Sequence, residues 1–178
     1  HSSQPDSNSS MSMPAFVEDL FLTDSFMIKG RLAHKAVRLS TTLEQHSRSF
    51  LQVEDATMAA LRGKEVIHTP RVLIRKQELI FAHELLDTAS DSTMKQLSQQ
   101  EQAEMRRIRA FYSGSAQLEI AGFAQGGAYE DTHNNGRSYF VMRKPEVRGL
   151  DLTLNPELGV LMTLDYAIVR KDKLAYVY

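Results

Sequence analysis

Two stretches, one before the middle of the chain and one at its end, have nearly the same pattern of residues. AIVRKDKLAYV repeats VLIRKQELIFA with an offset of 95 residues. Each stretch places two short runs of β-branched and apolar residues around a polar turn, which is typical of two strands joined by a turn. The repeat therefore predicts that the chain folds the same strand pair twice. The identical residues are Arg75 and Arg170, Lys76 and Lys171, and Leu79 and Leu174.

Two earlier blocks recur in the same order. Ile28 and Gly30 correspond to Ile120 and Gly122 with an offset of 92, and RSFLQVEDATM corresponds to RSYFVMRKPEV with an offset of 89. Matched blocks in one order are typical of a duplicated domain with loop insertions. Chance resemblance stays open as an alternative, because all short hairpins need alternation and a polar turn. If each glycine lies at a bulge or a close backbone approach, valine at Gly30 or Gly122 is expected to damage folding.

The repeat predicts a mainly β protein with two tandem small β-barrels, SH3-like or Sm-like, joined by a helix. In the linker, Ser98 and Glu101 have capping-box spacing, and Leu97, Met105 and Ile108 form one apolar stripe. This helix either connects the barrels and covers an edge or presents a face to a partner. The predicted segments are a disordered leader or tag at 1–13, the first barrel at 14–87, the linker helix at 88–110 and the second barrel at 111–178.

The composition is that of a soluble globular protein, with 42% hydrophobic and 24% charged residues in 178. The net charge of −1 gives no overall attraction to nucleic acid or anionic lipid. Cysteine is absent, which excludes disulfides, thiolate metal sites and thiol catalysis and fits a reducing compartment. No apolar run is long enough for a spanning helix, and the N-terminus lacks the apolar core of a signal peptide. We therefore expect a cytoplasmic protein without a membrane partner.

Motifs for catalysis and metal binding are weak. SGS at 113–115 lacks the G-x-S-x-G elbow, and AGFAQGG lacks the lysine and Ser/Thr of a phosphate-binding loop. The acidic and amide residues of YEDTHNNG could bind a hard cation, but Asn135-Gly136 is a strong hairpin-turn signal. We therefore predict no catalytic residue, no cofactor and no metal. The histidines without helical zinc-ligand spacing are His34, His46, His68, His83 and His133.

Basic residues of the first half are the main candidates for a binding site. Residues 20–87 contain ten Lys and Arg against eight Asp and Glu, whereas residues 111–178 contain seven against eight. Small barrels bind single-stranded nucleic acid through basic grooves lined by aromatic residues. The chain has no tryptophan and only 8% aromatic residues, which favours a solvated charged surface. The candidate polyanion-binding residues are Arg31, Lys35, Arg38, Arg48, Arg75 and Lys76.

Three segments of the first half, LTDSFMIKGRL, RLSTTLEQ and FLQVEDATM, resemble an uncharacterised family of small bacterial β domains. The resemblance covers residues 20–60, and RLSTTLEQ predicts one helical turn in which Thr41 and Glu44 have capping-box spacing. The second half has GGAYEDTHNNG where that turn is expected. The resemblance implies a small SH3-like or Sm-like barrel and supplies no established activity. The matching residues are Thr23, Asp24, Ile28, Gly30, Arg38, Leu39, Ser40, Phe50, Asp55 and Ala56.

Three functions are compatible with these patterns. The leading hypothesis is a non-enzymatic scaffold or adaptor that acts through self-association or protein contacts at exposed sheet edges. The first alternative is a nucleic-acid-binding module, which requires a continuous basic face on the first barrel and salt-sensitive binding. The second alternative is a small-ligand binder or an enzyme, which requires a pocket between the halves where polar side chains distant in sequence converge.

Overall fold

The computed structural model describes residues 18–35, 38–85, 104–114, 117–130 and 136–178. These residues form ten β-strands, the short helix α1 (Leu39–Leu43) and two 3-10 helices, Lys76–Glu78 and Pro156–Met162. The mainly β class predicted from the sequence is confirmed. The strands are β1 (Asp19–Leu22), β2 (Phe26–Leu32), β3 (Phe50–Ala60), β4 (Val66–Arg75), β5 (Phe81–Glu84), β6 (Met105–Tyr112), β7 (Glu119–Gln125), β8 (Tyr139–Arg148), β9 (Tyr166–Arg170) and β10 (Leu174–Val177).

All ten strands belong to one open sheet in which every neighbouring pair is antiparallel. The strand order is β10-β6-β7-β8-β9-β5-β1-β2-β3-β4. Within this order, β5 pairs with β1 of its own half and β10 pairs with β6 of its own half. The two halves meet through β5 and β9, where Phe81 lies opposite Val169 and Ala82 lies opposite Ile168. Both halves thus have the same internal strand order, and the sheet continues from one into the other.

The two halves also share a bulge at corresponding positions. The register between β2 and β3 shifts at Gly30, and the register between β7 and β8 shifts at Gly122. On the partner strands, Asp55 has φ of 49° and Lys144 has φ of 48°, a left-handed conformation that non-glycine residues rarely adopt. These two residues are separated by the offset of 89 that relates the RSFLQVEDATM and RSYFVMRKPEV blocks.

The closing blocks also have matching main-chain hydrogen bonds. The N–H of Lys76 donates to the carbonyl of Ser49, and the N–H of Lys171 donates to the carbonyl of Ser138, each at 2.9 Å. The turn that follows is closed by a bond from Leu79 to Lys76 at 3.1 Å in the first half and from Leu174 to Lys171 at 3.0 Å in the second. The repeated blocks of the sequence therefore occupy equivalent places in the sheet.

Two hydrophobic clusters lie on opposite faces of the sheet. In β1, Phe21 belongs to the cluster that includes Leu39 and Leu43 of α1, which we call the α1-side cluster. Leu20 and Leu22 belong to the other cluster, because successive side chains of a strand point to opposite faces. That second cluster contains residues from both halves of the chain. The halves therefore share a core.

The segment between β8 and β9 in the second half packs against the first half. Asn155, which caps the 3-10 helix Pro156–Met162, donates its side-chain amide to the carbonyl of Glu65 at 3.2 Å. One residue into that helix, Glu157 forms an ion pair with Lys29 of β2 at 3.0 Å. The connection between β8 and β9 therefore packs against β2 and the β3–β4 turn, which joins the halves beyond the β5–β9 pairing.

The prediction of a linker helix over 88–110 is wrong for residues 105–110, which belong to β6. In that strand, Ile108, Ala110 and Tyr112 are buried at alternate positions, and the strand pairs with β7 along its length. The helix is predicted from the helix-forming residues that precede Met105 in the sequence. For residues 105–110, pairing with β7 outweighs that local preference. Leu97, Ser98 and Glu101 lie outside the described residues, as does the predicted leader 1–13.

No helix in the described ranges is both long and apolar enough to cross a membrane.

Candidate functional site

A groove of about 480 Å³ lies where α1 of the first half approaches β7 and β8 of the second. Apolar residues of the sheet, including Val141 and Ile168, form part of its lining. The groove brings together polar side chains that are far apart in the sequence. These polar lining residues are Ser40, Thr41, Glu44, His46, Gln125 and Arg137.

Tertiary contacts hold α1 in place, since a helix of five residues is too short to be stable alone. Leu39 and Leu43 are buried in the α1-side cluster. At the helix end, the ammonium group of Lys76 donates to the carbonyl oxygens of Leu43, at 3.2 Å, and of Gln45. Arg38 is the N-cap residue of α1 and provides no side-chain cap.

Glu44 connects the two halves. Its carboxylate accepts hydrogen bonds from the main-chain N–H groups of Ser138 and Tyr139, both at 3.0 Å. The capping-box spacing with Thr41 had predicted a different role, but α1 begins at Leu39, so Glu44 is the C-cap residue. Both carboxylate oxygens are therefore occupied by main-chain donors, and such charge-assisted bonds are the stronger class of hydrogen bond.

Positive charge gathers beside Glu44. Burial lowers the pKa of Lys76, the charges of Arg48 and Arg170 lower it further, and Glu44 acts in the opposite direction. These four groups are therefore close enough to interact. Arg170 is itself engaged, because it forms an ion pair with Asp172 and donates to the carbonyl of Lys76. Arg48 and Lys76 thus contribute the remaining positive charge next to the groove.

Two of the predicted polyanion-binding residues lie elsewhere and have acidic partners. Arg31 forms an exposed ion pair with Glu54 at 2.7 Å. The side chain of Lys35 is 11% exposed, with its ammonium group 2.9 Å from Asp19 and 3.5 Å from Glu84. Of the predicted basic residues, Arg48 and Lys76 therefore lie close together, whereas Arg31 and Lys35 are paired with acidic residues elsewhere.

The outer strand β4 and its neighbour β3 present a mixed apolar and basic face. Phe50 lies opposite Arg75 and Gln52 lies opposite Leu73 in the β3–β4 register. The guanidinium group of Arg75 is 4.6 Å from the centre of the Phe50 ring, a cation–π geometry. Phe50 and Leu73 are 44% and 53% exposed, which is unusual for such large apolar side chains next to each other.

His83 is a buried titratable group at the junction of the halves. It is 7% exposed, and its ring centre lies 4.4 Å from the ring centre of Tyr166 in β9. Burial lowers the pKa of His83, while a hydrogen bond to the Tyr166 main chain and the charge of Asp165 act in the opposite direction. The folded protein therefore favours the neutral imidazole.

Acidification should destabilise the protein through His83. As the pH falls below about 6.5, the histidine of the unfolded chain takes up a proton while the folded one stays neutral, so the free energy of unfolding decreases. Each unit by which the folded pKa is lowered corresponds to about 1.4 kcal/mol lost below the folded pKa. Urea denaturation at neutral and mildly acidic pH should show a smaller loss for His83→Gln than for the wild type. His46→Gln, at an exposed position, is the control for replacing a histidine outside the junction of the halves.

The other sequence candidates give no site in the described residues. No group of three or more His, Cys, Asp or Glu side chains could hold a metal ion within the ranges that the structure describes. Gly126 and Gly127 lie in the turn after β7. The cation hypothesis rests mostly on residues 131–135, which lie outside the described ranges, as does Ser115 of SGS.

Sequence reasoning missed the residues that build the groove. Glu44 was assigned to a local cap, and its contacts with Ser138 and Tyr139 span 94 and 95 residues of sequence. The sequence pattern marks Arg137 only as the start of the repeated block RSYFVMRKPEV and marks His46 only as a histidine without zinc-ligand spacing. A local pattern cannot reveal a contact between distant segments, and these residues come together through tertiary structure that includes the pairing of β5 with β9.

Comparisons of the chain with protein-family models, with curated proteins and with solved structures each returned no match.

Proposed function

We propose that this protein is a non-enzymatic adaptor that holds another protein chain by strand addition to the outer edge of β4. The observation that supports this proposal is the position of β4, which is ten residues long and ends the open sheet. In the described part of the chain, β4 pairs with β3 alone. The outer main-chain groups of such a strand are a ready template for an extended peptide, as in other cases of strand addition.

The side chains around this edge select the chemistry of the partner. β4 contains Arg71 and Arg75 and no acidic residue. Leu73 and the neighbouring Phe50 supply an exposed apolar contact between these charges. An extended segment that combines acidic and apolar residues is therefore complementary to this edge. A second copy of β4 is a poorer occupant, because its arginines would face those of the first copy.

Pro70 limits where the partner can bind. Proline has no N–H and interrupts a ladder of hydrogen bonds, which is one way in which natural proteins protect edge strands. Pro70 divides β4 into Val66–Thr69 and Arg71–Arg75. We place the partner strand on Arg71–Arg75, where the exposed leucine and both arginines lie.

The internal repeat supports a finer description of the scaffold. We propose that the halves are tandem SH3-like or Sm-like units derived by duplication of a small bacterial β domain. The shared strand order, the paired bulges and the matching closing turns support this origin. The absence of cysteine is compatible with the cytoplasmic location that we propose for the adaptor.

A peptide-binding measurement tests the adaptor function. We expect a short fluorescent peptide in which Glu alternates with Val to bind the full-length protein, as measured by fluorescence anisotropy. Leu73→Asp should weaken this binding at least about tenfold, because it removes the apolar contact and adds charge repulsion. Met162→Asp, which changes another exposed apolar residue, in the second half, is the control and should bind as the wild type does.

Two results would contradict the proposal. The first is equal binding of a peptide with Lys in place of Glu, because that would remove the role of the β4 arginines. The second is binding of single-stranded RNA in preference to the acidic peptide, with strong salt dependence, which would favour the nucleic-acid alternative.

A further inference from the structure

We propose that the groove between α1 and β8 binds a small organic oxyanion, a phosphate or a carboxylate, whose apolar part lies on the sheet. This site is distinct from the β4 edge and does not depend on the adaptor function.

The groove contains hydrogen-bond donors without an acceptor in the protein. The side chains of Ser40, Thr41, His46, Gln125 and Arg137 have no hydrogen bond or ion pair to other residues in the described part of the chain. Several other arginines and lysines do have such partners, as Arg31 and Lys35 illustrate. Five uncommitted donors around one groove therefore offer a set of contacts that an oxyanion could accept.

The negative charge of Glu44 does not prevent the groove from binding an anion. It is the sole carboxylate among the described lining residues, and both of its oxygens accept main-chain N–H bonds from Ser138 and Tyr139. It is therefore poorly placed to bind a cation or a ligand hydroxyl. Arg48 and Lys76 beside it add positive charge, and the side chain of Arg48 has no hydrogen-bond or ion-pair partner among the described residues. The electrostatic balance next to the groove thus favours an anion.

The size and the lining of the groove indicate a small ligand. Its volume of about 480 Å³ falls in the range of small-molecule sites. Val141, Ile168 and Met105 supply apolar surface, while Arg137 and His46 supply polar contacts. A ligand that carries an anionic group on an apolar body matches both parts. A long polyanion would instead need a basic track, which the ion pairs of Arg31 and Lys35 interrupt.

Titration of the full-length ¹⁵N-labelled protein by NMR tests this inference. We use phenyl phosphate and phenylacetate as the two anionic probes and benzyl alcohol as the neutral one. We expect a saturable shift of the amide signals of Thr41, Gly136, Ser138 and Tyr139 with at least one anion. Arg137→Gln should weaken that binding at least about tenfold, because it removes a charge-assisted contact. The relative affinities of the two anions identify the phosphate or the carboxylate as the preferred group.

Controls separate the groove from general anion attraction. Arg62→Gln changes an exposed arginine in the β3–β4 turn and should bind the anions as the wild type does. If the NMR spectrum shows that Arg137→Gln alters the fold, the affinity of His46→Gln for the same anions tests the groove instead. The inference is overturned by the absence of any shift at millimolar probe, by equal binding of benzyl alcohol, by shifts outside the groove or by unchanged affinity in Arg137→Gln. Peptide binding at β4 should be the same in this variant, so the two proposals fail independently.

Discussion

Gly30→Ala is expected to lower the free energy of unfolding by about 2 to 3 kcal/mol, which for a protein of this size corresponds to roughly 5 to 10 °C in Tm. A Cβ atom at Gly30 would lie 2.6 Å from Cγ1 of Val53 and 2.7 Å from the carbonyl oxygen of Glu54. The second contact is with main chain that the β3–β4 pairing holds in place, so it cannot relax by a rotamer change. Valine at the same position should cost more than alanine. Thermal denaturation followed by circular dichroism measures both variants.

Gly122, the corresponding glycine of the second half, should show a smaller loss of stability than Gly30 when it is replaced by alanine. A Cβ atom at Gly122 would lie 2.6 Å from Cγ and 2.7 Å from Sδ of Met142, and 2.8 Å from the carbonyl oxygen of Arg143. Methionine is flexible and can move away, so Gly122→Ala should cost somewhat less than Gly30→Ala. Gly159→Ala is the control, because no atom lies within 4 Å of its Cβ position. Equal stability of Gly30→Ala and Gly159→Ala would refute the close approach of β2 to β3.

Much of the strand pattern could be predicted from the sequence because it depends on local signals. Gly30 and Gly122 recur with the same neighbours, and both strands bend at the positions that the repeat indicates. Each closing block also forms two strands around a polar turn. The expected pairing of those two strands with each other is wrong, because β4 pairs with β3, whereas β5 pairs with β1 and β9. Alternation and turn chemistry act within a few residues, which is why such patterns can be read from one sequence.

The way in which the halves join could not be predicted. β5 pairs with β9 through only two register positions, Phe81 with Val169 and Ala82 with Ile168, and neither pair has a special composition. Two tandem barrels are expected from the sequence because each half contains enough strands for one, but all ten strands belong to one sheet. The shared core instead arises because Leu20 and Leu22 of the first half are apolar on the face that the second half covers. Which surface covers which is a tertiary property that periodicity does not encode.

The environments of the predicted basic residues could not be predicted from the sequence either. Arg31 and Lys35 are four residues apart and looked equivalent as members of one basic face. The structure gives them different environments, because Arg31 occupies an exposed position of β2, while Lys35 follows the turn toward α1 and its side chain is only 11% exposed. The acidic partners of Lys35 come from β1 and β5, which only the sheet brings together.

Lys35→Met is expected to lower the free energy of unfolding by about 3 to 5 kcal/mol, because it removes one partner from a buried ion pair. The Lys35 ammonium lies 2.9 Å from Asp19 and 3.5 Å from Glu84, and the three side chains are 11%, 1% and 7% exposed. Asp19 and Glu84 are directly opposite in the β1–β5 register, so the variant removes an ammonium group that contacts two like charges. Urea denaturation at neutral pH measures the change. Arg31→Met is the matched control on an exposed ion pair and should leave the stability unchanged within error.

A double variant shows whether the charge or the shape of Lys35 matters. Asp19→Asn combined with Lys35→Met removes one of the two like charges and should restore part of the stability lost in Lys35→Met. Glu84 also accepts the main-chain N–H of Leu39, so the same cluster helps to fix the start of α1. Lys35→Met should therefore also shift the NMR signals of Ser138 and Tyr139, whose N–H groups bind Glu44 at the other end of α1. Unchanged signals in a destabilised variant would mean that the cluster supports β1 and β5 without positioning the groove.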